Sequence, residues 1–328
     1  MSFPQSRLRR LRKSENLRRL TAEVNLSADD LLYPIFVKEG LKKKKSIPSL
    51  PGQHYYALGD LCELVEKCEE LKVPGLLVFG IPEKKDEIGS EAFHEEGVVQ
   101  SAVREIKKSS GLAVFTDVCL CHYTLHGHCG VLGERGVDND KTLELLSRVA
   151  LSHARAGADF VAPSSMMDGQ VAAIRRALDE NGFKDVGIMS YSSKFSSSLY
   201  GPFRDAAQSA PKATLPHLSD RRTYQMDFRS KVQAMREIEL DIEEGADIVM
   251  IKPALPYLDI ISSARKKFNV PIAAYQVSGE YVMIKLLSES GAAKEKDVFF
   301  ETLTSIKRSG ADFIITYAAL DVARWLRD

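Results

Sequence analysis

Three stretches of the 328-residue chain share one opening: GADFVAPSS at residues 157–165, GADIVMIKP at 245–253 and GADFIITYAA at 310–319. Each follows apolar residues at helical spacing, in KTLELLSRVALSHARA (141–156), SKVQAMREIELDIEE (230–244) and KDVFFETLTSIKRS (296–309). Glycine suits the residue just past a helix because it takes positive φ without a Cβ clash. The apolar run behind it reads as a strand covered on both faces. Five more apolar runs fill the remaining chain: LLYPIFV (31–37), PGLLVFG (74–80), LAVFTDVCL (112–120), VGIMSYSSKF (186–195) and VPIAAYQVSGE (270–280). Eight buried strands alternating with helices predict an α/β fold, a (β/α)8 TIM barrel. An open doubly wound sheet is the runner-up, but no Gly-rich phosphate turn follows the first strand. On the barrel reading, residues 1–30 form an extended arm ahead of a catalytic domain at 31–328. The arm's Arg and Leu spacing is amphipathic, so it needs a surface, either its own barrel or a neighbouring subunit. Residues 195–222, rich in Ser, Tyr and Pro, read as a lid on the catalytic face.

Composition removes several function classes. The chain carries 45 basic and 45 acidic side chains, 44% apolar residues and 27% charged ones. A net charge of zero argues against nucleic acid as the main partner, because no excess of cations is available to displace counterions. No run approaches the roughly 18 apolar residues of a membrane span. The basic N-terminus lacks the apolar core of a secretory signal, which predicts a cytoplasmic protein; an Arg-rich organelle import segment is the other reading. Five cysteines in a reducing compartment are poor disulfide candidates. Lys42 to Lys45 read as a solvated loop.

In a barrel, reactive groups lie at the C-terminal ends of strands. The fifth and sixth runs end in Lys194 and Lys252, each behind apolar sequence where an unpaired ammonium is expensive. A lysine of pKa about 10.4 is only about 0.04% neutral at pH 7, so a nucleophilic amine needs a depression of roughly 3 units, about 4 kcal/mol. Burial and a second ammonium supply it, and adjacent strands would bring these two amines together. That arrangement points to Schiff-base chemistry. The alternative is that each lysine caps a helix or pairs with a carboxylate. The third run ends in DVCLCHYTLHGHCG, which places Cys119, Cys121 and Cys129 among His122, His126 and His128. Three thiolates leave a tetrahedral zinc one open position, the mark of a catalytic ion. A closed structural site with one histidine as fourth ligand, or plain buried thiols, are the other readings. Cys62 and Cys68, in LCELVEKCEE, read as packing residues.

Several motifs carry a family likeness: DVCLCHYTLHGHCG, SYSSKFSSSLYGPFRDAAQS, DRRTYQMD, IKPALPYLDI, YQVSGEYVMIK and IKRSGADFIITY. In this order they closely resemble the porphobilinogen synthase, or 5-aminolevulinate dehydratase, family from about residue 7 to the C-terminus. The resemblance implies a zinc-type lyase that condenses two molecules of 5-aminolevulinate into porphobilinogen with loss of two waters, early in tetrapyrrole biosynthesis. It implies a homo-oligomer, expected as an octamer. Lys252 and Lys194 match the two Schiff-base lysines, for the P-side and A-side substrate respectively. Arg204 and Arg221 match the A-side carboxylate ligands, Ser278 and Tyr317 those of the P side. Asp117 is a proton acceptor or amine orienter, or else caps its loop; Ser164, Ser165 and Tyr275 would line the pocket. Glu237 matches a position where many members hold an allosteric magnesium between subunits, although on sequence alone it is an exposed helix carboxylate. Thr223 stands where some members have a cysteine, which argues against a second zinc. Residues 212–219, with His217, are longer than the family's usual lid. The rival readings are a class I aldolase-type lyase with one Schiff-base lysine and a structural zinc, and a non-catalytic zinc-binding or redox-sensing barrel.

Overall fold

The computed structural model of the chain describes residues 2–212 and 218–327. Eight strands, β1 (Leu31–Lys38), β2 (Gly75–Ile81), β3 (Ala113–Val118), β4 (Phe160–Pro163), β5 (Gly187–Lys194), β6 (Ile248–Lys252), β7 (Ile272–Gln276) and β8 (Phe313–Thr316), run parallel. Each pairs with its sequence neighbours, and β8 closes on β1 through Leu31↔Ile314 and Leu32↔Ile315. This is the expected closed barrel. Every apolar run expected as a strand forms one stave of it.

The three Gly-Ala-Asp repeats have a common mechanical role. Their glycines terminate the helices Asn139–Ala156, Lys231–Glu243 and Glu295–Arg308 with φ of +102°, +104° and +120°. Their aspartates then tie adjacent staves together. Asp159, Asp247 and Asp312 each accept, at 2.7 Å, the N–H of a residue at the start of the preceding strand: Val114, Ile188 and Ile272. Each aspartate's own N–H returns a bond to the carbonyl of that same residue. These clasps sit where strands begin, the barrel face associated with stability. The floor is then sealed by Phe115 stacked on Phe160, with ring centroids 4.7 Å apart. Gly187 must be glycine, because a Cβ there would come within 2.2 Å of the Phe160 ring.

At the other end the segment expected as a lid packs over the strand ends. A short 3-10 turn (Ser198–Tyr200) and a helix (Gly201–Ala206) bring Phe203 edge-on to Phe79, at 5.1 Å, over the stacked pair Phe36 and Phe79. The lid is therefore partly helical where sequence reading expected a loop. Residues 213–217 of it, including His217, lie outside the described residues.

Among the described residues the arm holds 3-10 turns at Leu8–Arg12 and Ala28–Asp30 and a short helix (Glu15–Leu20). Phe3, Leu8, Leu11 and Leu20 stay exposed, so the barrel of the same chain does not cover them. Cys62 also differs from expectation. It is exposed while Cys68 is buried, because six residues at 100° per residue place them about 120° apart on helix Leu61–Glu70. Among the described residues no helix is long and apolar enough to cross a membrane.

Candidate active site

Lys194 and Lys252 are register partners at the ends of β5 and β6. Simple alternation does not explain why both face inward. Val249 pairs with Ser190 and Ile251 with Ser193, so β5 carries one extra residue against β6. This bulge reverses the pleat. Ser190 and Ser193 direct their hydroxyls outward to Asp241 (2.6 Å) and the Ala234 carbonyl (3.2 Å) on helix Lys231–Glu243. Tyr191 and Lys194 are thereby both turned into the barrel, where the two ammonium nitrogens stand 5.4 Å (Lys194) and 5.0 Å (Lys252) from the centroid of the Tyr191 ring.

Lys252 is enclosed by aromatic rings, with centroids of Tyr275 at 4.0 Å, Phe203 at 4.9 Å and Tyr200 at 5.4 Å. Ring faces favour an ammonium by about 0.5–2 kcal/mol. Loss of water costs an ion several kcal/mol, so the neutral amine wins. Burial first, and then the neighbouring Lys194, hold Lys252 well below the ordinary lysine range. Lys194 donates to the Ser164 carbonyl. Asp117 shares the cavity; burial pushes its carboxyl up to about 6, against the pull of Lys194, the Ser164 hydroxyl and Lys252.

Cys119, Cys121 and Cys129 are buried, and their sulfurs lie within 4.8 Å of one another. Cys121 also lines the cavity that holds the two lysines. The three thiols compete with one another. Hydrogen bonds from Cys119 and Cys121 hold Cys129 well below its usual range. Burial and the other two thiols push Cys119 up; at Cys121 the bond from Cys119 is outweighed by Cys129 and burial, and its thiol rises to about 11. A soft or borderline divalent ion placed among the sulfurs would relieve this, so the donor set fits a metal. Among the described residues no histidine joins the cluster. His128 is bound to the Tyr224 hydroxyl at 3.0 Å, and His126 accepts the His128 N–H at 3.1 Å. His122, between Phe79 and Phe203, is held neutral by burial, at about 3.

Arg221 is buried and closes the cavity, donating to the Gly127 carbonyl of the cysteine loop (2.9 Å) and the Ser209 carbonyl of the lid (2.6 Å). Arg204 lies in an adjoining outer cavity; burial, then Arg221, lowers its guanidinium from the usual value. Nε of both arginines has no hydrogen-bond partner among the described residues. Two guanidinium groups close enough to feel each other's charge, each with a spare donor, can grip a carboxylate. Ser278 sits beneath the lid, accepting from the Phe203 N–H (3.0 Å) and donating to the Leu199 carbonyl (3.1 Å). Tyr275 and Tyr317 share a hydroxyl contact of 3.1 Å below Lys252. Ser165 is buried, and its hydroxyl has no hydrogen-bond partner among the described residues.

Glu237 does not join this site. It is half-buried, not exposed, and lines a separate cavity with Asp168, Asp241 and Glu244; burial, then Asp241 and Asp168, raise its carboxyl to about 7. Thr223 lines the same cavity. Sequence reading missed Tyr191, Tyr200 and Phe203. Tyr191 stands three residues before Lys194, which in a regular strand means the opposite face, so its signal appears only with the bulge.

Residues 5–325 match the family described as delta-aminolevulinic acid dehydratase. A protein of that name from Methanothermus sociabilis is 55% identical over 322 residues, covering 98% of this chain and 99% of its own length. One from Bacillus subtilis is 49% identical over 329 residues, covering 100% of both. Among solved structures, the Toxoplasma gondii delta-aminolevulinic acid dehydratase (porphobilinogen synthase), in complex with the reaction product porphobilinogen, superposes with a TM-score of 0.94 at 40% identity; the match covers 98% of this chain and 91% of that one. The chain belongs to the delta-aminolevulinic acid dehydratase family.

Proposed function

We propose that the chain condenses two molecules of 5-aminolevulinate into porphobilinogen with release of two waters, through imines on Lys252 and Lys194. The observation that carries this reading is the register pairing of the two lysines inside one cavity walled by Cys121, Asp117 and Arg221. The neutral Lys252 amine adds to the ketone of one substrate, and loss of water gives the imine. Lys194 does the same with the second substrate. Asp117 stands within the cavity to accept and return the protons that these additions and eliminations move. The Arg204 and Arg221 guanidinium groups hold the A-side carboxylate, and the Ser278 and Tyr317 hydroxyls the P-side one; Ser164, Ser165 and Tyr275 support the walls. The Phe203 plug excludes water, which protects both imines from hydrolysis. Zinc, held by Cys119, Cys121 and Cys129, supplies Lewis-acid polarisation on the A side when bound.

Two further assignments complete the reading. The exposed apolar side chains of the arm at residues 2–25 pack on another copy of the chain in a homo-oligomer. The crowded carboxylates around Glu237 suit a magnesium ion, which would offset their mutual repulsion. A colorimetric pyrrole assay with 5-aminolevulinate, run with and without chelator, tests the function. Pyrrole formation that chelator abolishes and added zinc restores is expected. No pyrrole from the zinc-loaded, reduced protein would overturn the reading.

A further inference from the structure

Glu280 is fully buried in the first turn of the helix Ser278–Glu289. Its carboxylate accepts three backbone N–H groups: Val277 at 2.6 Å, Leu255 at 2.6 Å and Ala254 at 3.3 Å. The first bond is a local helix cap. The other two reach a distant part of the chain, the turn two and three residues beyond Lys252. A local cap needs only a short polar side chain at the helix start. A buried carboxylate is costly unless both oxygens are bonded, so its use here points to the two segments it joins. Burial pushes the carboxyl up to about 7, against the pull of the three N–H donors and Lys252. On one side of the bridge is Lys252; on the other is Ser278, two residues before Glu280, with its hydroxyl held between Phe203 and Leu199.

We propose that Glu280 is a positioning residue that fixes the separation between the imine-forming nitrogen of Lys252 and the carboxylate-binding hydroxyl of Ser278, so that a 4-keto acid is gripped at both ends in one register. The inference rests on the roles given above to Lys252 and Ser278. The ketone carbon and the carboxylate carbon of such a substrate are three bonds apart, so neither grip can drift without losing the other. Pre-set geometry of this kind turns two weak attachments into one fast intramolecular step. In Glu280→Gln one acceptor oxygen becomes an NH2 group that meets a backbone N–H donor to donor, which opens one side of the bridge at nearly constant volume.

The test is borohydride trapping on Lys252 of the metal-loaded enzyme with two ketones, levulinate and 2-butanone, which lacks the carboxylate. The unaltered enzyme traps levulinate faster. In Glu280→Gln that preference falls by about tenfold, the scale of one lost charged hydrogen bond, while 2-butanone trapping stays within about twofold. Ser278→Ala loses the same preference, and the double variant loses no more than Ser278→Ala alone, as expected for coupled residues. Glu280→Asp, which keeps the charge but withdraws it by one methylene, shows the same loss and serves if the Gln form does not fold. Equal slowing of both ketones, an unchanged preference, or failure of both Glu280 variants to fold would each overturn the proposal. Absence of trapping at Lys252 in the unaltered enzyme would instead overturn the imine reading beneath it.

Discussion

Lys194 and Lys252 are paired across β5 and β6, and both ammonium nitrogens stand within 5.4 Å of the Tyr191 ring centroid. Two like charges in one desolvated cavity cannot both be stable, and Lys252 is the one driven toward the neutral amine. Lys194→Ala removes the repulsion. The apparent pKa for imine formation at Lys252 should then move upward, so trapping at pH 7 slows and recovers at higher pH. An unchanged pH profile would show that the two amines do not interact.

The same depression has a stability consequence. In the unfolded chain Lys252 takes its ordinary pKa near 10.4, whereas the folded state resists its protonation. The unfolded state therefore binds more protons between the folded pKa and about 10.4, and stability rises with pH through that window. Lys252→Met should raise the thermal midpoint at pH 7, with a gain that shrinks as pH approaches 10. The same variant should lose porphobilinogen formation by about 10³-fold or more, as expected for a covalent nucleophile, while retaining its metal. A variant that is active, or less stable at pH 7 than at pH 10 relative to the parent, would contradict the assignment.

The barrel was legible in the sequence because buried parallel strands are apolar on both faces and each glycine after a helix is a local signal. The role of Asp159, Asp247 and Asp312 was not, since a clasp to the neighbouring strand is a tertiary contact. The cysteines and the two lysines were legible because their chemistry is out of place in apolar sequence. Tyr191 was hidden by a one-residue bulge that exists only in the pairing of β5 with β6. The environment of Glu237 was hidden as well, because its cavity is built from five separate segments of chain.

Metal removal distinguishes a working ion from a structural one. The clasps and the closed sheet hold the barrel without help from the three thiols. Chelation should abolish turnover and leave the far-ultraviolet circular dichroism unchanged, with activity restored by zinc. A collapse of the spectrum on chelation would make the site structural, as in small metal-dependent folds.

The arm predicts its own experiment. Phe3, Leu8, Leu11 and Leu20 are exposed within one short segment, where another copy of the chain could cover them. Deleting residues 2–25 should reduce the particle size on gel filtration. An unchanged particle would show that the arm is not an assembly element.

On the proposed mechanism two lysines on neighbouring staves each become covalently attached to substrate. Borohydride reduction in the presence of isotope-labelled 5-aminolevulinate, followed by peptide mass mapping, measures this directly. Label is expected on Lys252 and on Lys194, with none on other lysines. Label confined to a single lysine, or found on neither, would contradict it.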